Sequence, residues 1–221
     1  ERGKPFEPTE AQQAALMAGL TSGEAAAKTL VFNERLDGVL RKDGWRYILS
    51  GALPDAFEHT QRVRDFDMLD PRSRFTYEAI TSSPRMGHPV VGKGQSYAGR
   101  FEDTDNDRLV GDRKYVMRFA SPPPAELFWS TVIYDVESRT LIVNETQNAT
   151  VGSRATPDLQ TNEDGSVDVY VGPTPPPGKE SNWVQSVPGR AWFPYVRMYG
   201  PGEDWFDEDA YALPQIEKTD W

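Results

Sequence analysis

Cysteine is absent from the 221 residues, and histidine occurs only twice, at His59 and His88. The first absence removes disulfides, thiolate nucleophiles, zinc–thiolate sites and iron–sulfur clusters together. It carries no message about compartment, because a chain this long buries enough surface to be secreted without bridges. The two histidines are isolated and fall outside any metal-ligand spacing. His88, within Met86-Gly87-His88-Pro89, reads as a loop residue ahead of a general base. Long apolar runs are lacking too: none approaches the roughly 18–20 residues that cross a bilayer. Positive charge is scarce, with 24 Lys plus Arg against 34 Asp plus Glu and a net charge of −10. A surface of that sign repels phosphate backbones and anionic lipid, which excludes nucleic acid as the expected partner. The nearest thing to a nucleophile elbow, Gly94-Gln95-Ser96-Tyr97-Ala98, lacks the closing glycine and leads into a strand pattern where the elbow needs a helix.

What the chain does have is a change of period. Thr9-Glu10-Ala11-Gln12 reads as a capping box, followed by good helix formers. Thr21-Ser22-Gly23-Glu24 repeats the box, so the stretch reads as one helix or as two, 9–20 and 22–36. Gly19 and Gly23, four apart, allow another backbone to approach closely, as in ordinary packing. Trp45 to Leu49 suits a short strand, and Asp70-Pro71 a helix start that runs to about Ile80. From Pro89 the pattern alternates. Ser96–Phe101 and Lys114–Phe119 look like paired strands, followed by Leu127–Asp135, Thr140–Asn144, Ser166–Val171 and Ala191–Tyr199. The acidic tail 203–209 carries Trp205 and Phe206, which would pin it to the body. The expectation is a mostly β protein: a helical lead-in over 1–88, then an antiparallel, jelly-roll-like β-sandwich over 89–221.

Several local patterns add a family resemblance. They are Asp105 to Gly111 with Tyr115, Phe128-Trp129-Ser130 with Tyr134-Asp135, Asp164-Gly165-Ser166, Pro176 to Trp183, and Arg197 with Tyr199-Gly200-Pro201. Together these resemble the C-terminal part of a two-domain bacterial family known as domains of unknown function 1254 and 1214, over roughly Ser96 to Pro201. The resemblance implies a jelly-roll-like sandwich, periplasmic or secreted, frequently a homo-oligomer and with no settled activity. It also implies an upstream β-domain, which would be the chain's natural partner.

The candidate functional residues each carry two readings. Asp103, Asp105 and Asp107 alternate as calcium-loop oxygens do, but Arg108 stands where the loop glycine should be and Lys114 where its last ligand should be. The loop is thus either solvated or a calcium site, the only cofactor the sequence suggests. On the last strand, period two gathers Phe193, Tyr195, Arg197 and Tyr199 on one face. Arg197 among aromatics is either an anion-recognition platform or a charge paired with a carboxylate such as Asp135. Trp129 and Tyr134 lie on opposite faces of their strand, one of which would be core and the other a cleft. Asn182-Trp183 reads as a loop anchor or as a stacking contact for a sugar. Asp135 and Asp164, with Asp168, are the carboxylates that could serve glycoside hydrolysis if two lie about 5–9.5 Å apart. Three functions follow: an exported module that binds a polar, glycan-like ligand or oligomerises; a carboxylate-dependent glycan hydrolase; or a structural assembly component.

Overall fold

The computed structural model describes residues 3, 5–33, 40–48, 62–63, 66–67, 73, 77 and 90–221. A single helix, α1 (Glu10–Phe32), opens the chain. The capping box forms as its sequence requires: Gln12 N–H donates to Thr9 Oγ1 at 3.3 Å, and Thr9 N–H donates to Gln12 Oε1 at 2.9 Å. The second box pattern, at Thr21, does not start a new helix, since the chain stays helical through it. Only the end of α1 is buried, at Val31 and Phe32. There Lys28 Nζ meets Glu137 at 2.7 Å, and Phe32 packs edge-on to Phe101 and Phe193. Further up the helix Leu16, Met17 and Leu20 remain exposed, and Gly19 and Gly23 have open space around them. The expected helix over 70–80 lies largely outside the described residues, although Ser73 and Tyr77 are helical. His59 and His88 lie outside them altogether.

The body is a two-sheet β-sandwich, and its strands in chain order are β1 (Arg46–Tyr47), β2 (Arg62–Val63), β3 (Phe66–Asp67), β4 (Gln95–Gly99), β5 (Tyr115–Phe119), β6 (Ala125–Asp135), β7 (Thr150–Gly152), β8 (Val167–Gly172), β9 (Trp183–Gln185), β10 (Trp192–Pro201) and β11 (Ile216–Lys218). One sheet runs β1-β4-β10-β6-β7 and the other β11-β5-β8-β9, with β2 and β3 as a separate hairpin. Period two divides each strand between core and surface. Trp129 and Ile133 of β6, Val196 and Met198 of β10, and Val167, Val169 and Val171 of β8 all point into the space between the sheets. Each large side chain fully buried there contributes about 1.5–3 kcal/mol.

Three expectations change. The segments 96–101 and 114–119 do not pair: β4 joins the five-stranded sheet and β5 the four-stranded one. Thr140–Asn144 forms only a bridge at Leu141, and β7 takes the place beside β6. The sandwich is not wholly antiparallel either, since β9 runs parallel to β8. In addition, residues ahead of position 89 are part of the sandwich. Trp45 and Tyr47 are core residues, and buried Arg41 donates to Tyr47 Oη and to the carbonyls of Trp205 and Tyr211. Trp205 is fully buried, its indole donating to Ser96 Oγ at 2.8 Å, so the acidic tail is pinned as its sequence suggests.

Candidate functional site

The outer face of the five-stranded sheet carries the aromatic side chains that the core does not use. Strand register sets them in rows: Tyr97, Arg197 and Ser130 lie side by side across β4, β10 and β6, and Tyr199 and Phe128 form the next row. Phe128 and Tyr199 stack with centroids 4.0 Å apart. Arg197 donates from Nη2 to Tyr97 Oη at 3.0 Å, and its guanidinium lies 4.6 Å from the Tyr97 ring and 5.8 Å from that of Tyr199. Its Nε is buried without a hydrogen-bond partner. Burial pushes the Tyr97 hydroxyl up from its ordinary pKa against the pull of Arg197, so it stays protonated at neutral pH. Tyr134 stands toward the helix-covered end of the face, stacked on Phe193 at 5.5 Å, and burial raises its pKa too.

Arg197 does not pair with Asp135. The two belong to opposite faces of the sheet, because Asp135 shares its parity with core residues Trp129 and Ile133. Asp135 instead accepts from Arg190 Nε at 2.5 Å and Nη2 at 2.7 Å, and from Ser138 N at 2.8 Å and Oγ at 3.0 Å. The Arg190 contact, with the Ser138 donors, outweighs burial and holds this carboxyl down at about 2. Asp164 occupies the turn before β8, where Gly165 takes φ +83. It accepts from Ser166 Oγ at 2.6 Å, Ser166 N at 3.0 Å and Arg118 Nη2 at 2.8 Å, and these donors, Ser166 first, bring it to about 2. Both candidate acids are therefore fully ionised at neutral pH and held by internal donors.

At the acidic loop, carboxylate oxygens of Asp103, Asp105 and Asp107 lie within 4.8 Å of one another, as a cation site requires. Lys218 Nζ sits among them, 3.1 Å from Asp103, 2.9 Å from Asp105 and 2.6 Å from Asp107. Asp103 is fully buried, and its Oδ1 accepts the backbone N–H groups of Asp105 and Asp107. Its Oδ2 meets the ammonium at ion-pair distance without good hydrogen-bond geometry. The hydrogen bonds that Lys218 donates to Asp107 and Asp105 raise its pKa. A divalent ion would have to displace an ammonium that the last strand already supplies.

The remaining expected site residues lie elsewhere. Trp129 is in the core, 5.3 Å from Phe119, because odd positions of β6 face inward. Asn182 is buried and spends its amide internally: Nδ2 donates to the carbonyls of Gln160 and Asp168, and Oδ1 accepts from Gln160 N and Ser181 Oγ. Trp183 is half-buried beside Tyr170 on the outer face of the other sheet, its indole donating to the Gly172 carbonyl at 2.9 Å. So the structure gathers Arg197 and Tyr199, sets Tyr134 at the margin, and separates all three from Asn182 and Trp183. Sequence reading missed Tyr97 and Arg154 at this face, along with Arg190 and Lys218 as carboxylate partners. Period two, which sets Phe128 on the same face of its strand as Tyr134, would have found Tyr97 as well; the long-range partners had no local signal.

Fold and site together define a two-sheet β-sandwich with a helical lead-in and an aromatic outer face centred on an arginine. Residues 94–203 match the model of a family described as protein of unknown function (DUF1214). No curated protein matches the chain. The fold is similar to the crystal structure of the VPA0106 protein from Vibrio parahaemolyticus, with a TM-score of 0.52 and 21% identity over 98% of this chain and 47% of that one. An uncharacterised protein from Burkholderia cenocepacia aligns with a TM-score of 0.38 and 13% identity, over 99% of this chain and 45% of the other. The chain thus spans a little under half the length of either structure.

Proposed function

We propose that this chain is a non-catalytic binding module that takes a polar, sugar-like ligand on the outer face of its five-stranded sheet. One observation carries the reading: Arg197 sits half-buried among tyrosine rings with no carboxylate partner among the described residues, whereas Asp135 and Asp164 are both saturated. Rings beside a guanidinium offer an apolar surface for sugar C–H groups and directed donors for their oxygens. The hydrolase reading asks more of the molecule. A general acid must hold a proton near the working pH, which carboxyls lowered to about 2 do not do. At the acidic loop, we read Lys218 as the resident cation that fastens β11, in the place calcium would take. The exported setting, periplasmic or secreted, enters the proposal on the family resemblance alone.

The test is a binding and turnover screen of the purified chain against a panel of oligosaccharides. Binding is expected without product formation, and Tyr199→Leu is expected to weaken it about tenfold, in line with the loss of one ring contact. Glycan cleavage by the chain, abolished in Asp135→Asn, would sink the proposal.

A further inference from the structure

The acidic balance of the chain makes unpaired arginines informative. Arg41, Arg46, Arg108, Arg118 and Arg190 each meet a carboxylate. Arg197 and Arg154 do not, among the described residues, and neither do Arg100, Arg113 and Arg139, although acidic groups outnumber basic ones by 34 to 24. What sets Arg197 and Arg154 apart is that both lie against the same aromatic pair. Arg197 and Arg154 are each held by a ring. Arg154, exposed after β7, places its guanidinium 5.5 Å from the Phe128 ring, and Phe128 stacks on Tyr199, beside which Arg197 lies. The two cations therefore flank one aromatic pair. Ser130, next to Arg197 in the same row, makes no side-chain hydrogen bond among the described residues and adds an uncommitted hydroxyl.

We infer that this strip selects an anionic ligand: an acidic oligosaccharide whose carboxylates meet Arg197 and Arg154 while a sugar ring lies against Tyr199 and Phe128. The inference rests on the binding reading above and adds the ligand's charge to it. Guanidinium groups suit carboxylates because two parallel N–H donors match two oxygens. Burying part of Arg197 without an anion costs desolvation, and an incoming carboxylate restores what water supplied. The negative field of the rest of the molecule opposes random anions, so contact geometry, not net charge, must provide the selectivity.

The experiment is calorimetric titration of the chain with a short oligogalacturonate and, in parallel, with a neutral oligogalactose of equal length. The acidic oligomer is expected to bind more tightly, and its affinity is expected to fall as salt rises. Arg154→Gln, on the surface, should lower that affinity about tenfold with an unchanged melting temperature; Arg197→Met should lower it as much or more. If Arg197→Met fails to fold, Arg154→Gln and the salt series still decide. Equal binding of both oligomers, lost in Tyr199→Leu but untouched in Arg154→Gln, would overturn the anionic assignment and leave the site reading intact. Binding of neither oligomer would overturn both.

Discussion

The two outer faces of the sandwich carry similar residue types and treat them in opposite ways. On the four-stranded sheet, Arg118 meets Asp164 at 2.8 Å and lies 3.9 Å from Asp168. Asp168 accepts through Oδ2 from Asn162 and Tyr170, while its buried Oδ1 makes no hydrogen bond and faces Arg118 at ion-pair distance, and the Trp183 indole donates to a backbone carbonyl. On the five-stranded sheet, the guanidinium groups of Arg197 and Arg154 rest against rings and leave donors unused. Saturated polar groups hold a structure together, whereas unsatisfied ones keep binding capacity in reserve. An aromatic next to a polar residue therefore does not mark a site by composition. Whether its hydrogen-bonding capacity is already spent decides.

The sharpest way to break this contrast is Asn182→Ala. The substitution leaves Gln160 N–H and the carbonyls of Gln160 and Asp168 without their partner in a buried place. A destabilisation of about 3 kcal/mol is expected, since each buried unsatisfied group costs about 1–3 kcal/mol and some relaxation is available. Urea unfolding should show a lower midpoint with an unchanged slope. Ligand binding by the folded protein should survive. A stable Asn182→Ala protein that no longer binds would move the site to the four-stranded face.

The fold was more legible than the site, for a physical reason that particular residues show. The capping box at Thr9 and the inward valines of β8 follow from local spacing, and both form as expected. The pairing of β4 with β10 joins residues about a hundred positions apart, and no local pattern distinguished it from a β4–β5 hairpin. At the site, period two placed Arg197 and Tyr199 on one face. It could not say whether Arg197 or Arg190 would claim Asp135. That choice depends on the turn at 136–139 and on Arg190 preceding β10 in the loop, so that it reaches Asp135 on the side of the sheet that Arg197 faces away from. Asn182 stayed open between loop anchor and ligand contact for a related reason: the partners that commit its amide internally lie 14 and 22 residues away.

A subtler test uses the two carboxyls that share a pKa of about 2 for different reasons. Asp135 is nearly buried and clamped by Arg190, whereas the Asp164 side chain is 60% exposed and owes its value first to Ser166. The ordinary aspartate value is 3.8, so Asp135 binds its proton more weakly in the folded state than in the unfolded one. Its contribution, about 2 kcal/mol, is complete above pH 4 to 5 and is lost as the pH falls toward 2. The stability gap between the wild type and Asp135→Asn should therefore narrow across that window. Asp164 has the same sign and window but a smaller effect, because water and salt screen its contact with Arg118. Carboxyl titration by nuclear magnetic resonance at low and high salt separates the two. At about 1 M salt, where screening acts over ~3 Å, Asp164 should climb part of the way toward its ordinary value, retaining the share owed to Ser166. Asp135 should hardly move. An equal climb in both would mean that the end of β6 is as open to solvent as the turn at Asp164, and Asp135 would then regain its claim as an acid that a substrate could reach.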